Sequence, residues 1–431
     1  MNIAVLFGIF FVLVMLSVPI GVSLGVATSV TMVFFSDISL TMIAQKAFTG
    51  LDSFTLLAIP FFMLAGNLMA LGGIARRIVN MADALVAKLT GGLGMATIIG
   101  CMFFAAISGS GPATVTAMGS IMIPEMEKRG YDKGFATGLT ATAGTIGVII
   151  PPSIPFVIYA VAAGASVGDM FTAGLIPGIL IGVALMLVCY VISRKRGYKG
   201  MTSAEAKEQP GLWSTFKDSF WALMAPVIIL GGIYGSFFTP TEAAVVATVY
   251  SLVVGVFVYK ELTWQIWIDA LKATADLNGL TGLALGFSMA FASYLTIEQI
   301  PNKIAAAMMS AISAEWMLLL VMIVVLLIFG LFVDNISSCL ILTPVFLPVV
   351  TGMGMSPVHF GIVMTVALAI GFVTPPYGVN LFVAASVADL KIEKISKAAI
   401  PFIAAMLFCL LLITYVEPIS MGLGRIFEAM G

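Results

Sequence analysis

Two proline pairs interrupt apolar stretches of this 431-residue chain, Pro151-Pro152 in the first half and Pro375-Pro376 in the second. Proline has no N–H, so each of them leaves the carbonyl four residues earlier without a helical donor. The carbonyls released in this way belong to Gly147, Val148, Gly371 and Phe372. Lipid cannot solvate these groups, so they must meet protein, water or a cation. A cluster of such oxygens suits a small hard cation such as Na⁺.

A polar segment of serine, glycine and proline, from Ser108 to Thr114, precedes the first proline pair. Pro112 releases the carbonyl of Ser108, and Ser108 and Ser110 add hydroxyl oxygens. Helices that start after such turns would also direct their positive ends at an anion. The competing interpretation is structural, because glycine and serine in membrane helices often mediate close packing, and proline often only kinks a helix.

Asp334 stands at the corresponding position of the second half and is the most informative single residue. An acid inside an apolar stretch is costly and usually faces a transport pathway or an ionic partner. Asp334 could instead pair with a lysine or cap a helical hairpin. Because a polar, proline-marked interruption recurs at one register in both halves, we favour a binding site where the two halves meet.

The amino-acid composition indicates a membrane protein. The chain is 61% hydrophobic and 10% charged, with 20 basic and 21 acidic side chains. Soluble proteins carry roughly 25% charged residues, so we expect a polytopic membrane protein. A net charge of −1 provides no basic field for nucleic acid. One histidine and four widely separated cysteines provide no catalytic constellation, metal cage or disulfide framework, so we expect neither an enzyme nor a cofactor.

Apolar runs of two lengths alternate along the chain. A membrane-crossing helix needs about 20 mostly apolar residues. Candidate spans lie near 3–35 (broken at Pro19), 53–71, 92–107, 136–150, 171–192, 219–238, 241–259, 278–297, 316–333, 358–373 and 399–417. Shorter pieces, too short to cross alone, lie at 112–124, 154–164, 336–350 and 379–388. Such lengths indicate re-entrant hairpins or broken helices, which are tolerated only where protein or a cavity surrounds them.

The only long polar stretch, residues 193–219, divides the chain into a first half (1–192) and a second half (220–431). Its basic residues crowd just after an apolar span and are Arg194, Lys195, Arg196 and Lys199. The positive-inside rule therefore places this linker in the cytoplasm. The two termini carry few basic residues, so we expect both on the outside. Each half then crosses an odd number of times, and the two halves are inverted repeats.

A shift of 224 positions aligns parts of the two halves. It pairs Pro124 with Pro348, Gly130 with Gly354, Ala143 with Ala367, Ile146 with Ile370, Gly147 with Gly371 and the two proline pairs with each other. The glycine and proline matches weigh most, because these residues fix backbone geometry. The repeat predicts hairpins at 107–128 and 332–350 and broken helices at 147–155 and 371–380.

Two further segments have an amphipathic helical pattern, Trp264–Lys272 and, more weakly, Ile78–Leu89. Each could be an interfacial arm helix lying along the bilayer surface, one per repeat, or an ordinary exposed loop helix. The pattern alone leaves both interpretations open.

At these motifs the sequence resembles the large membrane subunit (DctM or SiaM type) of tripartite ATP-independent periplasmic (TRAP) transporters, over nearly the whole chain. In the first half the resemblance is carried by FTGLDSFTLLAIPFFMLAGNLM at 48–69, ISGSGPATVTAMGSIMIPEMEKRGY at 107–131 and GTIGVIIPPSIPFVIYAVAAGAS at 144–166. In the second half it is carried by ILGGIYGSFFTPTEAA at 229–244, LTPVFLPVV at 342–350 and HFGIVMTVALAIGFVTPPYGVNLFV at 359–383.

The resemblance implies an all-α polytopic protein of the bacterial inner membrane, with two inverted repeats and an elevator-like mechanism. It implies Na⁺-coupled import of an organic acid such as a C4-dicarboxylate or sialic acid. The family pairs this subunit with a small four-helix membrane subunit and a soluble periplasmic substrate-binding protein, both separate chains. The alternative is a stand-alone secondary transporter or a channel without a binding protein, although inverted repeats favour alternating access over a pore.

The resemblance also implies binding residues. By the family pattern, the first sodium site falls on Ser108, Ser110, Gly147, Ile150 and Pro152. The 224-residue shift then points to a second site near Asp334, Gly371, Thr374 and Pro376, although Phe332 stands where the first half has Ser108. The organic acid is expected between the hairpin tips and the broken helices, lined by Ser110, Ser153, Asp334 and Asn380. Because we expect no buried arginine near these motifs, hydroxyls, amides and helix ends would have to hold the carboxylate.

Overall fold

The computed structural model describes residues 2–201, 210–312 and 314–430, and within those ranges all regular structure is helical. The helices of the first half are α1 (Asn2–Met15), α2 (Ile20–Phe35), α3 (Thr41–Leu51), α4 (Ala58–Leu71), α5 (Ile74–Val86), α6 (Gly92–Ser108), α7 (Gly111–Lys128), α8 (Lys133–Ala143), α9 (Ile154–Ala163) and α10 (Val167–Arg196). Those of the second half are α11 (Leu212–Tyr234), α12 (Pro240–Val253), α13 (Trp264–Ile297), α14 (Ile300–Ala311), α15 (Glu315–Phe332), α16 (Asn335–Gly352), α17 (Pro357–Gly371), α18 (Val379–Ala388), α19 (Ile392–Tyr415) and α20 (Pro418–Met430). The prediction of an all-α chain is confirmed.

Eight helical segments of the described chain are long and apolar enough to cross a membrane, judged by length and composition. They are Phe54–Leu71, Val167–Arg196, Leu212–Tyr234, Pro240–Val258, Trp264–Ile297, Glu315–Phe332, Asn335–Gly352 and Ile392–Tyr415. Large apolar side chains such as Phe48 and Phe237 remain exposed on outer faces, as a surface that meets lipid requires. The chain is therefore a multi-pass membrane protein, as its composition predicts.

Several helices differ in length from their predictions. The piece at 336–350 is predicted to be too short to cross alone, whereas α16 has 18 residues and is long enough by this criterion. Pro344 and Pro348 lie inside α16 without ending it. Conversely, the predicted spans 136–150 and 358–373 form the helices α8 and α17, which end early at Ala143 and Gly371, whereas α6 matches the predicted span 92–107 to within one residue. The glycines and the proline pairs that follow α8 and α17 account for their early ends.

Helix α13 is the longest element, with 34 residues and a length of about 51 Å. The sequence predicts two separate elements here, the amphipathic segment Trp264–Lys272 and the span 278–297. That division is wrong, because one uninterrupted helix contains both. No proline lies between them, and the one intervening charged residue, Asp276, is compatible with helix. The weaker amphipathic segment, Ile78–Leu89, forms most of α5, which starts at Ile74 and ends at Val86.

Two tight turns and two interrupted helices bring the halves together. We call the turns the first tip (108–112, between α6 and α7) and the second tip (332–336, between α15 and α16). The first break (149–153) separates α9 from the 3₁₀ turn Gly144–Val148 that follows α8, and the second break (372–378) separates α17 from α18. Both proline pairs lie in these breaks, and both Pro–Pro peptide bonds are cis.

The linker predicted at 193–219 is partly helical. Helix α10 continues to Arg196, and α11 begins at Leu212. After α10 the chain turns at Gly197, and the Tyr198 ring stacks on Tyr131 with centroids 4.3 Å apart. Residues 202–209 of the predicted linker lie outside the described residues.

Arg77 joins elements of the two halves. Its guanidinium donates to Glu261 at 2.8 Å, lies 3.4 Å from Asp218 and stacks 3.6 Å from the centre of the Tyr259 ring. Burial alone would lower the pKa of Arg77, but the hydrogen bond to Glu261 and the Asp218 carboxylate hold it above its ordinary value. The Ser219 hydroxyl donates to the Arg77 carbonyl at 2.9 Å. This cluster fastens α5 to α11.

We expect Arg77→Ala to lower the free energy of unfolding by about 1–3 kcal/mol, because Glu261 loses a partly buried donor. Thermal unfolding in detergent would show the loss as a lower midpoint. Arg425→Ala is the control, since Arg425 pairs with Glu417 at 2.7 Å but is 57% exposed. Its effect should stay within about 0.5 kcal/mol. Equal midpoints for the two variants would contradict a structural role for the Arg77 cluster.

Candidate functional site

A cavity of about 240 Å³ lies between the two tips, and we call it the central cavity. The first tip contributes Gly109, Ser110 and Pro112, and the second tip contributes Asp334, Asn335 and Ile336. The remaining walls come from the ends of the broken helices, from Met63 of α4 and from one face of α13. The central cavity therefore draws on both halves of the chain.

Four pairs of lining residues are related by the 224-residue shift. They are Ser110 and Asp334, Pro112 and Ile336, Val148 and Phe372, and Pro155 and Val379. Each half thus presents the same four backbone positions to the cavity. The side chains at these equivalent positions differ from one half to the other.

The central cavity is surrounded by helix N-termini. Residues from the first turns of α7, α9, α16 and α18 all line it. Ser110 caps α7 by accepting from the Ala113 amide, and Asp334 caps α16 by accepting from the Ser337 amide at 2.9 Å. The unpaired N–H groups and the macrodipole give each N-terminus a partial positive charge. Four of them facing one cavity make a site for an anion.

The charge of the cavity is otherwise carried by Asp334 alone. No other described lining residue is ionisable, and Asp334 takes part in none of the ion pairs of the described residues. The described residues also contain no group of three or more His, Cys, Asp or Glu side chains placed to hold a metal ion. An anion in this cavity would therefore meet positive helix ends and one negative side chain.

Three of the five residues predicted for the first sodium site lie together. The Ser108 hydroxyl is 3.0 Å from the Thr114 hydroxyl, which donates to the Ser110 carbonyl at 2.8 Å. Gly147 packs on this group, because a Cβ there would lie 2.6 Å from the Ser110 carbonyl oxygen and against Thr114 Oγ1. Hydroxyl and carbonyl oxygens are the ligand types that Na⁺ takes in unwound helices.

Ile150 and Pro152, the other two predicted members, lie in the first break. The Ile150 amide donates to the Ile146 carbonyl at 3.0 Å, and its side chain packs against Gly178 of α10. The Pro152 carbonyl faces Gly109, where a Cβ would lie 2.9 Å from its oxygen. The break and the first tip are therefore in direct contact.

The second predicted sodium site is less compact. Gly371 packs against Gly330 of α15, and a Cβ on it would lie 2.6 Å from the Gly330 carbonyl oxygen. The Thr374 hydroxyl donates to the Ile370 carbonyl at 2.7 Å, and its amide donates to the Gly371 carbonyl at 3.1 Å. Pro376 is exposed. Of this set, only Asp334 lines the central cavity.

Ser153 and Asn380 are not lining residues, in contrast to Ser110 and Asp334. Both side chains are fully buried. The Ser153 hydroxyl donates to the Val148 carbonyl at 2.6 Å, so one of the carbonyls that proline releases obtains its partner from the chain itself. The Asn380 amide group donates to the Ala141 carbonyl at 3.4 Å and lies against Gly111 of the first tip. Both residues stabilise the breaks behind the cavity wall.

Sequence reasoning missed two residues of the site. Thr114 is fully buried, and its hydroxyl connects Ser108 to Ser110. Thr114 follows Ser110 by four residues, and this helical spacing could have indicated the contact. Asn335 lines the central cavity, is 2% exposed, and its Nδ2 finds no acceptor among the described residues. An unpaired buried amide is costly, so Asn335 is suited to donate to an oxygen of a ligand. Its position directly after Asp334 was the signal.

A solved structure has a similar fold. The Alcanivorax borkumensis YdaH transporter matches with a TM-score of 0.63 over 90% of this chain and 90% of its own, at 14% sequence identity. At this identity the likeness concerns the fold alone. The fold and its apolar helices define a polytopic all-α membrane protein.

Comparisons of sequence define the family. A family model described as "Tripartite ATP-independent periplasmic transporter, DctM component" matches residues 7–419, so the chain belongs to the DctM family of TRAP transporter large components. The C4-dicarboxylate TRAP transporter large permease protein DctM of Pseudomonas aeruginosa is 42% identical over 402 residues, 93% of each chain. The isethionate TRAP transporter permease protein DctMQ of Oleidesulfovibrio alaskensis is 48% identical over 417 residues. That match covers 97% of this chain, which spans 65% of the relative's length. The family predicted from the motifs is confirmed.

Gly147→Ala is expected to lower the free energy of unfolding by about 1–3 kcal/mol, because the added methyl group overlaps Thr114 and Ser110 of the first tip. Thermal unfolding in detergent measures the change. Gly231→Ala in α11 is the control, since a Cβ there meets no atom within 4 Å. That variant should unfold at the same or a higher midpoint, because alanine favours helix over glycine. A Gly147→Ala midpoint at or above that of the wild type would show that the tip and the break are not in close contact.

Proposed function

We propose that this chain is the large membrane component of a Na⁺-coupled importer of small organic anions. The observation that carries the proposal is the central cavity, where four helix N-termini surround a single ionisable side chain, Asp334. The N-termini attract an anion, whereas Asp334 repels it unless a cation lies beside the carboxylate. Bound Na⁺ would thus raise the affinity for the anion, and the anion would raise the affinity for Na⁺ by the same factor. This reciprocity is the thermodynamic basis of coupled transport.

Two Na⁺ sites belong to this proposal. The first uses the oxygens of Ser108, Ser110 and Gly147, with Ile150 and Pro152 supplying carbonyls from the first break and Thr114 adding a hydroxyl. The second lies beside Asp334, with Gly371, Thr374 and Pro376 supplying oxygens from the second break. The contact of Ser108, Ser110 and Thr114 supports the first site. The second site requires the second break to approach Asp334 when the ion binds.

The substrate class follows from the cavity and from the relatives. The two relatives described above are named for isethionate and for C4-dicarboxylates, and both ligands are small organic anions. No arginine or lysine is among the described residues that line the central cavity, so helix N-termini and the Asn335 amide would hold the anionic group. We therefore infer a short-chain carboxylate or sulfonate as the transported solute.

The cavity walls support an elevator-like movement. The tips and breaks carry the helix N-termini, while the α13 wall consists of Leu277, Leu280, Thr281 and Ala284. The Thr281 hydroxyl donates to the Leu277 carbonyl of its own helix at 2.8 Å, so this wall offers the ligand no free donor of that kind. We infer that the tips and breaks carry the ligand as a unit and move along α13.

The proposal includes separate partners and an orientation. We infer that a small four-helix membrane subunit and a periplasmic substrate-binding protein act with this chain, as the family membership suggests. The basic end of α10, from Arg194 to Arg196, lies in the cytoplasm by the positive-inside rule, and both termini then lie in the periplasm.

Uptake into proteoliposomes tests the proposed function. The chain is reconstituted with its small membrane subunit, and an inward Na⁺ gradient is imposed with and without the periplasmic binding protein. Labelled isethionate, succinate and sialic acid form the substrate panel. We expect saturable accumulation of one anion that requires both the gradient and the binding protein. Uptake with Na⁺ alone would indicate a stand-alone secondary transporter, non-saturating flux would indicate a channel, and uptake indifferent to Na⁺ would refute the coupling.

Asp334→Asn separates the charge of this residue from its structural role, because asparagine caps a helix as well as aspartate does. We expect the Na⁺ concentration for half-maximal uptake to rise about tenfold or more, since an interaction with a charged group contributes about 1.5–3 kcal/mol. The control is Asp389→Asn, because Asp389 is exposed and has a φ of 47°, which asparagine tolerates. An unchanged Na⁺ activation curve for Asp334→Asn would place the second cation elsewhere.

A further inference from the structure

A second cavity, of about 320 Å³, is bounded by three helices that also bound the central cavity. Helix α9 contributes Val161, α13 contributes residues between Met289 and Ile297, and α16 contributes Leu340. The fourth wall is α3, which contributes Lys46. We call this space the outer cavity, because it lies beyond the central cavity along all three shared helices.

The two cavities follow one another along the chain direction of α9, α13 and α16. From the central to the outer cavity, α9 advances from Ile154 to Val161, or about 10 Å, and α13 advances from Leu277 to Met289, or about 18 Å. The outer cavity thus reaches the last turns of α9 and α13, which end at Ala163 and Ile297. In the proposed orientation this end faces the periplasm, because the Arg196 end of α10 is cytoplasmic and only three residues separate the end of α9 from the start of α10.

The helix ends make the outer cavity unfavourable for an anion by themselves. The last carbonyls of a helix have no intrahelical donors and carry partial negative charge. The carboxylate of Glu298 directly follows α13, where it accepts from the Ser36 hydroxyl at 3.0 Å. An anion that enters the outer cavity from the ends of α9 and α13 therefore meets these negative groups first.

Lys46 is the one ionisable side chain among the described lining residues of the outer cavity. Its helix is held against α13 by close contacts. A Cβ on Gly50 would lie 2.7 Å from Met289 Cβ, and a Cβ on Gly286 would lie 3.4 Å from the Ala47 carbonyl oxygen. The backbone of Lys46 is therefore fixed beside the cavity, while its long exposed side chain can follow a moving ligand.

We propose that the outer cavity is a transient binding site for the transported carboxylate or sulfonate, and that Lys46 supplies the positive charge that makes it one. The inference rests on the proposed function, since it adds a step to the path of the same anion. Lys303 already contacts the Glu298 carbonyl beyond the end of α13, whereas Lys46 is the cation that lines the outer cavity itself. The anion then passes from one positive site to the next. A single rim charge of this kind acts mainly on the rate of association and on its salt dependence.

Charge reversal at one position tests this role. Lys46→Cys removes the charge. A thiosulfonate reagent that carries a trimethylammonium group then adds a cation to the thiol, and one that carries a sulfonate group adds an anion. The four native cysteines are buried, so the wild-type chain treated in the same way controls for background labelling. Uptake is measured with the complete complex in vesicles of neutral lipid. We expect the KM for the anion to rise about 3- to 10-fold in Lys46→Cys with little change in kcat. The cationic reagent should restore the KM, and the anionic reagent should raise it further.

Lys303→Cys is the matched control, because Lys303 is exposed near the same end of α13 but lines neither cavity. Its ammonium donates to the Glu298 carbonyl at 2.9 Å. If the KM of Lys46→Cys is the same after the cationic and the anionic reagent while the wild type still transports, this inference alone is overturned. Equal responses of the two variants overturn it as well, since they reflect general surface charge. An effect that appears only with anionic lipid assigns Lys46 to a phospholipid headgroup and also overturns it. Failure of the wild type to take up any anion on a Na⁺ gradient refutes the proposed function itself.

Discussion

The peptide groups at the interrupted helices impose the constraint on which the rest of the structure depends, because lipid cannot hydrate them. The first tip and the first break satisfy one another, since the Ile154 amide donates to the Gly109 carbonyl at 3.3 Å. In the second half, the backbone N–H of Asn380 donates to the Phe372 carbonyl across the second break at 2.9 Å. Side chains such as Ser153 complete the set. The contact of the first tip with the first break places the starts of α7 and α9 side by side, so satisfying the backbone also builds part of the electrostatic site.

The two halves use one backbone plan with different chemistry. Ser110 and Asp334 cap equivalent helices, yet only one of them carries a charge. Gly147 packs on the hydroxyl group of Thr114, whereas Gly371 packs on the backbone of Gly330. A cavity built with strict symmetry would bind a ligand equally well in two orientations. The unequal tips instead give the cavity a polar direction, along which an asymmetric anion of the proposed class would have one preferred placement.

The positions of structural elements are predicted well from the sequence where residue type dictates the backbone geometry. Proline and glycine fix the tips and breaks, so the positions of Ser110, Gly147 and Asp334 follow from the pattern. Side-chain direction does not follow from it. Ser153 and Asn380 turn into the protein because local carbonyls need donors, a demand that appears only once the break is folded. The single helix α13 was predicted as two segments, because polarity changes along it while no residue breaks it.

The length of α13 has a mechanical consequence. Its uncharged portion, Leu277–Ile297, rises about 31 Å and matches the hydrocarbon thickness of a bilayer. The preceding residues from Trp264 therefore extend beyond the hydrocarbon as a continuation of the same rod. Because the helix has no interruption, a tilt imposed at its Trp264 end turns the α13 wall of the central cavity by the same angle. A force that the headgroup region exerts on this end is thus transmitted to the cavity wall, with α13 as the lever arm.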